Sequence, residues 1–337
     1  MSRNSANLDV LRAIAVLMVF FYHLLEYGYF SERRVSRLGQ FGVLIFFVHT
    51  SLVLMMSMER NSGAVNFYIR RFFRIYPLSM LAVGLVTVLH IPSHPAREYA
   101  SLGTFNLLSN FALTMNLTHS PMALAPLWSL PIEVQMYVLL PLLFLLTRAK
   151  HAIRNLLLAW IALLPLAYFQ PLMTGPHNVL RFAPCFVPGV IAYVLLSKWK
   201  PKLSWLFWPP FILAVYAGFQ LFDPHGYGWA ECLALGLAIP FFREVQVKWI
   251  RRAAGAIAKY SYGIYLFHLI AIYYCFDWMT GPTWLRIAGS IAVTVVASVA
   301  SYHLLEEPLI EYGRRLGHAL APPRPEKPLV QTVSMSQ

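Results

Sequence analysis

Asp9-Val10-Leu11-Arg12-Ala13-Ile14-Ala15-Val16-Leu17-Met18-Val19-Phe20-Phe21-Tyr22-His23 is the stretch on which the fold turns. It opens the first long apolar run, yet it carries an arginine and, eleven positions later, a histidine. Eleven residues at about 100° each come to roughly three turns, so the two side chains share one helix face about 16 Å apart. Ionisable groups inside a membrane helix are costly, and they mark candidate functional sites. Arg12 falls near one membrane surface and His23 deep in the span or in its far half. Taken alone, the pair has a second reading, in which Arg12 is a snorkelling anchor and His23 a hydrogen-bonded packing residue.

The rest of the composition agrees with a membrane setting. Of 337 residues 58% are hydrophobic and only 12% charged, and the mean hydropathy is +0.57. A soluble domain is about 45–50% apolar and about 25% charged, so the chain is an integral membrane protein. Its apolar runs approach 20 residues and lack the alternation of barrel strands, which predicts an all-α polytopic bundle. No small-residue cleavage site follows the first run, which is therefore a retained span and not a signal peptide. Cys185, Cys232 and Cys275 lie in or beside apolar segments, far apart, and form neither a disulfide framework nor a metal spacing. The net charge of +13 would suggest nucleic acid in a soluble protein. Here the basic residues lie mostly between spans, so topology explains them, with membrane lipid or an anionic co-substrate as partners and no nucleic acid.

Ten spans are expected, near residues 8–30, 38–58, 72–91, 127–147, 155–172, 179–197, 204–222, 228–243, 257–277 and 284–305. The stretch 103–118, with Asn106, Asn110 and Asn116, is too polar for a span and reads as a re-entrant or surface helix. Ten crossings put both termini on one side. That side holds 21 of the 27 Lys and Arg residues and the other only Arg33, Arg34, Arg37, Arg97, Arg181 and Arg286, which predicts cytoplasmic termini. No internal repeat is evident. Residues 1–321 are read as one membrane domain and the proline-rich 322–337 as a disordered cytoplasmic tail.

Four further constellations stand out. Arg71 and Arg74, at the start of the third span, are three apart and can grip one phosphate together; anchoring by the positive-inside rule is the alternative. In Trp128-Ser129-Leu130-Pro131-Ile132-Glu133-Val134-Gln135-Met136-Tyr137, Glu133 and Tyr137 share a face inside the apolar run. A carboxylate there orients a histidine, binds a hydroxylated substrate, or forms a structural ion pair. Ser261, Tyr265 and His268 make a polar seam in the ninth span, where His268 is either a second catalytic group or a packing residue. Glu306-Glu307-Pro308 closes the tenth span, where proline is expected to end the helix and the acids to face Arg71 or Arg74. A serine-nucleophile elbow, a phosphate-cradling glycine loop and a zinc-ligand cluster are missing from the sequence.

Together these motifs resemble the acyltransferase 3 family of membrane O-acyltransferases. Its opening Leu-Asp-x-Leu-Arg-Ala-x-Ala with a following histidine is similar to Leu8–Ala15 and His23. Its arginine pair before Ile-x-Pro resembles Arg71 and Arg74 ahead of Ile75-Tyr76-Pro77, and Trp-Ser-Leu-x-x-Glu matches Trp128, Ser129, Leu130 and Glu133. Tyr-Ser-x-x-x-Tyr-x-x-His matches Tyr260, Ser261, Tyr265 and His268, and Glu-x-Pro matches Glu306 and Pro308. The resemblance runs from about residue 7 to 316. One departure is Phe46-Phe47-Val48-His49-Thr50-Ser51, where members commonly end in Ser-Gly; His49 is an added ionisable group.

The resemblance implies transfer of an acyl group, acetyl above all, from cytoplasmic acyl-CoA to a hydroxyl of a surface or exported carbohydrate at a bacterial inner membrane, without a metal. It implies Arg12, Arg71 and Arg74 as holders of coenzyme A phosphates, and His23, Glu133 and His268 as catalytic groups. Trp128, Tyr137, Ser261 and Tyr265 are the expected substrate contacts. The alternative from a different class is a non-enzymatic polysaccharide exporter or flippase, with the polar seam lining a hydrophilic passage.

Overall fold

The computed structural model describes residues 5–28, 37–60, 63–92, 99, 101–170 and 177–320. The proline-rich tail, and Arg3, Arg33, Arg34, Arg97, Arg324 and Lys327 from the charge comparison, lie outside the described residues. The main helices are α1 (Ala6–Gly28), α2 (Leu38–Arg60), α3 (Ala64–Val88), the short α4 (Thr104–Ala112) and α5 (Ser129–Thr147). They continue with α6 (Ala152–Phe169), α7 (Val179–Lys198), α8 (Trp208–Phe222), α9 (Trp229–Ala238), α10 (Lys248–Tyr273), α11 (Thr283–Ser301) and α12 (Glu307–Ala319). Between described residues the sole strand-like pairing is an isolated bridge, Leu203 to Phe242.

Eight stretches are long and apolar enough to cross a membrane. Two of the ten expected spans are not among them. The region of α9 forms only a short apolar helix, Trp229–Phe241, and α10 is long but diluted by its basic first turns and its tyrosine, serine and histidine seam. The expected surface helix at 103–118 is α4 plus a helical turn at Met115–Thr118; Asn110 ties it down by donating to the Asn106 and Pro121 carbonyls and accepting from the Ala123 amide.

α1 is the hub. It packs antiparallel to α2 and alongside α10, while α2 also packs on α7, and α7 carries α6 and α9. Close approach of α1 and α2 depends on Gly42, where a Cβ would stand 2.6 Å from the Ala15 carbonyl oxygen. On the other side of α2, Gly189 of α7 lies so near Val48 and Ser51 that no Cβ fits. Small residues at such crossings replace the hydrophobic drive that lipid removes, letting backbones close on one another. Phe47 and Phe186 stack in the middle of this layer, with ring centroids 4.5 Å apart.

Pro308 does not end the last span. A π-helical turn, Tyr302–Glu306, joins α11 to α12, and the proline sits in the first turn of α12. The π turn, in which the Glu307 amide bonds the Tyr302 carbonyl five residues back, shifts the hydrogen-bond register just before a residue that has no N–H to give. The π turn also swings Glu306 inward, to a side-chain exposure of 1%.

Candidate active site

Four helices bring the buried charges into one cavity. α1 supplies Arg12, α3 supplies Arg71 and Arg74, α5 supplies Ser129, Glu133 and Tyr137, and α10 supplies Ser261, Tyr262 and Tyr265. α2 closes it with Phe46, Phe47, His49 and Thr50. The i, i+3 spacing of the α3 arginines and the i, i+4 spacing in α5 are what put these groups on inward faces. Tyr137 donates to Glu133 Oε1 at 2.6 Å, and Tyr262 donates to the Ile75 carbonyl at 2.7 Å. Arg74 is paired with Glu306 across the bundle. Three guanidinium groups thus meet two carboxylates, leaving the cavity cationic. The Arg12 Nε–H is buried without a hydrogen-bond partner, a costly state that an anionic ligand would relieve.

His23 is 8% exposed and His268 fully buried. His268 Nδ1 lies 3.0 Å from the Ile264 carbonyl, its Nε2 lies 3.0 Å from His23 Nδ1, and that same Nδ1 is 3.0 Å from the Val19 carbonyl. A carbonyl oxygen only accepts, so in neutral rings His268 Nδ1 carries the proton and its Nε2 the lone pair. His23 Nδ1 must then be the donor, shared between His268 Nε2 and Val19. In that tautomer Nε2 is the nitrogen of His23 that bears the lone pair.

His23 does not line the arginine cavity. It lines a second one, with Tyr22, Gln40, Trp128, His177, Arg181 and Phe182 around it, and only Val43 and Tyr265 line both. The Tyr265 hydroxyl is pinned across the boundary, 2.5 Å from the Pro126 carbonyl and 2.6 Å from Ser129 Oγ. Since Pro126 can only accept, Tyr265 donates there and Ser129 donates to Tyr265. Trp128 stands 5.1 Å from Phe182 and 5.5 Å from His177 between ring centroids, making an aromatic wall. Burial, with the Arg181 charge nearby, holds the His177 imidazole below its ordinary pKa.

The structure therefore gathers Arg12, Arg71, Arg74, Glu133, Tyr137, Ser261 and Tyr265 around one cavity and His23, Trp128 and Tyr265 around the other. His268 stands behind His23 as its hydrogen-bond partner. Ser261 donates its proton to Ala258 of its own helix, so towards the cavity it offers only lone pairs. Among residues not singled out as site residues from the sequence, Ser129, Tyr262, His177, Gln40 and Arg181 line the cavities. Arg181 had left a signal, as an arginine on the side that the charge asymmetry assigns few of them.

The acyltransferase domain family matches residues 5–303. The chain is 24% identical to acyltransferase MdmB of Streptomyces mycarofaciens, over 94% of each chain. It is 25% identical to the putative membrane-bound transacylase BcsY of Komagataeibacter xylinus, over 92% of this chain and 84% of that one. With a putative O-acetyltransferase of Staphylococcus aureus strain MSSA476 it shares 25% identity over 92% of its own length and 58% of the relative's. No solved structure matches the chain.

Proposed function

The chain belongs to the acyltransferase domain family, and we propose that it moves an acyl group, acetyl in the simplest case, from acyl-CoA at the cytoplasmic face to a hydroxyl of a surface or exported carbohydrate. It is an integral membrane enzyme with the helices of a polytopic bundle, so donor and acceptor can arrive from opposite ends of one site. Arg12, Arg71 and Arg74 hold donor phosphates, a role supported by the cationic cavity and the orphaned Arg12 Nε–H. Glu133 keeps the Tyr137 hydroxyl in place and offsets the arginine charge, while the partner of His23 is His268. Trp128 offers the acceptor sugar an aromatic face.

His23 acts as general base through Nε2. It takes the proton of the acceptor hydroxyl as that oxygen attacks the thioester carbonyl, and His268 Nε2 and the Val19 carbonyl stabilise the resulting imidazolium through Nδ1–H. As the C–O bond forms and the C–S bond breaks, His23 returns the proton to the departing thiolate sulfur. Tyr265 stands where the two cavities meet, and the thioester reaches the imidazole past it. The exporter alternative asks for an open hydrophilic passage and has no use for coenzyme A, so donor binding separates the two readings.

The hydrogen-bonded run from Ile264 through His268 to His23 is the observation that carries this reading. The test is acyl transfer by purified His23→Ala protein. Loss of transfer with unchanged membrane insertion and melting temperature is expected; full activity would remove His23 from the chemistry. Acetyl-CoA should also raise the melting temperature of the wild-type protein and fail to do so in Arg71→Ala and Arg74→Ala variants.

A further inference from the structure

Two more cavities continue outward from the arginine cavity. The first is lined by Asp9, Arg12, Arg74, Gly255, Lys259 and Tyr302, and shares Arg12 and Arg74 with it. The second is lined by Asp9, Gly255, Lys248, Arg251 and Arg252 with Ala6, and shares Asp9 and Gly255 with the first. Six basic side chains therefore line two adjoining cavities whose one carboxylate is Asp9, and together these cavities form a groove beside α10.

On α10 the positions 248, 251, 252, 255, 259 and 262 follow one helix face by steps of three and four, and Tyr262 at its inner end already lines the arginine cavity. From Arg251 to Tyr265 the helix rises about 21 Å. Gly255 keeps the middle of this face open: a Cβ there would meet nothing nearer than Asp9 Oδ2 at 3.9 Å, so any larger side chain would extend into the groove. The groove ends inward on the buried, unsatisfied Arg12 Nε–H, a second and independent sign of an anionic ligand.

We propose that Lys248, Arg251 and Arg252 bind the 3′-phosphate of a coenzyme A thioester, with its diphosphate between Lys259 and the Arg12, Arg71 and Arg74 cluster and its arm running on toward Tyr265. The inference rests on the donor reading above and assigns to it a site outside the arginine cavity. A small acyl phosphate could not span from one end of the groove to the other. A nucleotide with a long flexible arm does.

The experiment compares coenzyme A with dephospho-coenzyme A, which lacks only the 3′-phosphate, binding to the full-length protein in lipid nanodiscs by titration calorimetry. Wild type is expected to bind coenzyme A about tenfold more tightly, the worth of charge-assisted bonds to one phosphate. The Arg251→Gln/Arg252→Gln variant should lose that ratio while its affinity for dephospho-coenzyme A is unchanged. Gly255→Leu should weaken both ligands with the melting temperature kept. Arg314→Gln/Arg315→Gln, which removes the same charge outside the groove, should preserve the ratio. A wild-type ratio near one, a ratio unchanged in the Arg251/Arg252 variant, unweakened binding to Gly255→Leu, or loss of the ratio in the Arg314/Arg315 variant would each overturn the groove assignment. In all four cases the donor reading stands. If wild type bound neither ligand, both would fall.

Discussion

His268 meets His23 across 245 positions of sequence, and the consequence of that contact can be measured. Its Nε2 shares with the Val19 carbonyl the proton on His23 Nδ1 and so helps to hold the imidazolium that forms. Replacing His268 with leucine leaves that proton to the Val19 carbonyl alone and should lower kcat by roughly tenfold, about the worth of one hydrogen bond to a charged group, with KM for the donor unchanged. A glutamine keeps an acceptor near the same point, so His268→Gln should recover part of the lost kcat. Equal losses in the two variants would reduce His268 to packing. Tyr265→Phe removes the bonds to Pro126 and Ser129 and unpins the boundary between the cavities; a changed KM for one substrate alone would report which side it guards. Helical periodicity alone put Arg12 and His23 on one face, because both lie on one helix. The meeting of His23 with His268 was not legible, since nothing local in either helix encodes which helix it will face.

Helices explain the arginines that the charge rule leaves over. Arg37 bonds the Phe219, Asp223 and Pro224 carbonyls at the end of α8, and Arg286 bonds the Phe276 carbonyl beside a π-helical turn. Both satisfy carbonyls that a helix end leaves without an internal partner. At Pro308 the proline in sequence reads as a stop, but no local pattern in the sequence marks the π turn before it. That turn delivers Glu306 to Arg74, whose side chains are 1% and 21% exposed. Glu306→Ala leaves the Arg74 charge uncompensated and should destabilise the protein by about 3 kcal/mol, seen as a lowered melting temperature. An Arg74→Met/Glu306→Leu double variant should regain most of that stability while remaining inactive. Between α2 and α7, Gly189→Leu drives a side chain into Val48 and Ser51, where overpacking costs about 1–3 kcal/mol; a melting temperature equal to wild type would mean the two helices can part without penalty.

Whether the two termini share a membrane face depends on how often the chain crosses, and eight long apolar helices do not settle α9 and α10 by length. Their neighbours give each a direction. Gly226 and Gly228, just before α9, lie against Gln40 and Leu44 near the start of α2. Just after it, the Phe242 and Arg243 carbonyls and the Val245 amide bond Asn7 at the start of α1. Because α1 and α2 are antiparallel, those two starts lie at opposite ends of the bundle, so the α9 segment runs from one end to the other despite its length. α10 then runs parallel to α1, with Gly255 near Asp9 and His268 beside His23. We propose on this ground that both segments traverse and keep the parity even, in which case the charge asymmetry predicts a cytoplasmic face for both termini. Reporter fusions check this directly: a fluorescent protein that folds only in the cytoplasm should shine at either terminus, and a phosphatase active only outside should work when inserted after His225. A phosphatase active at the C-terminus would make the number of crossings odd, and would put the Arg12, Arg71 and Arg74 cavity on the opposite face from the N-terminus or the C-terminal helix on the opposite face from Arg74. The Arg74–Glu306 pair argues against the latter and the position of Arg12 in the second turn of α1 against the former, so the expected outcome is an even count.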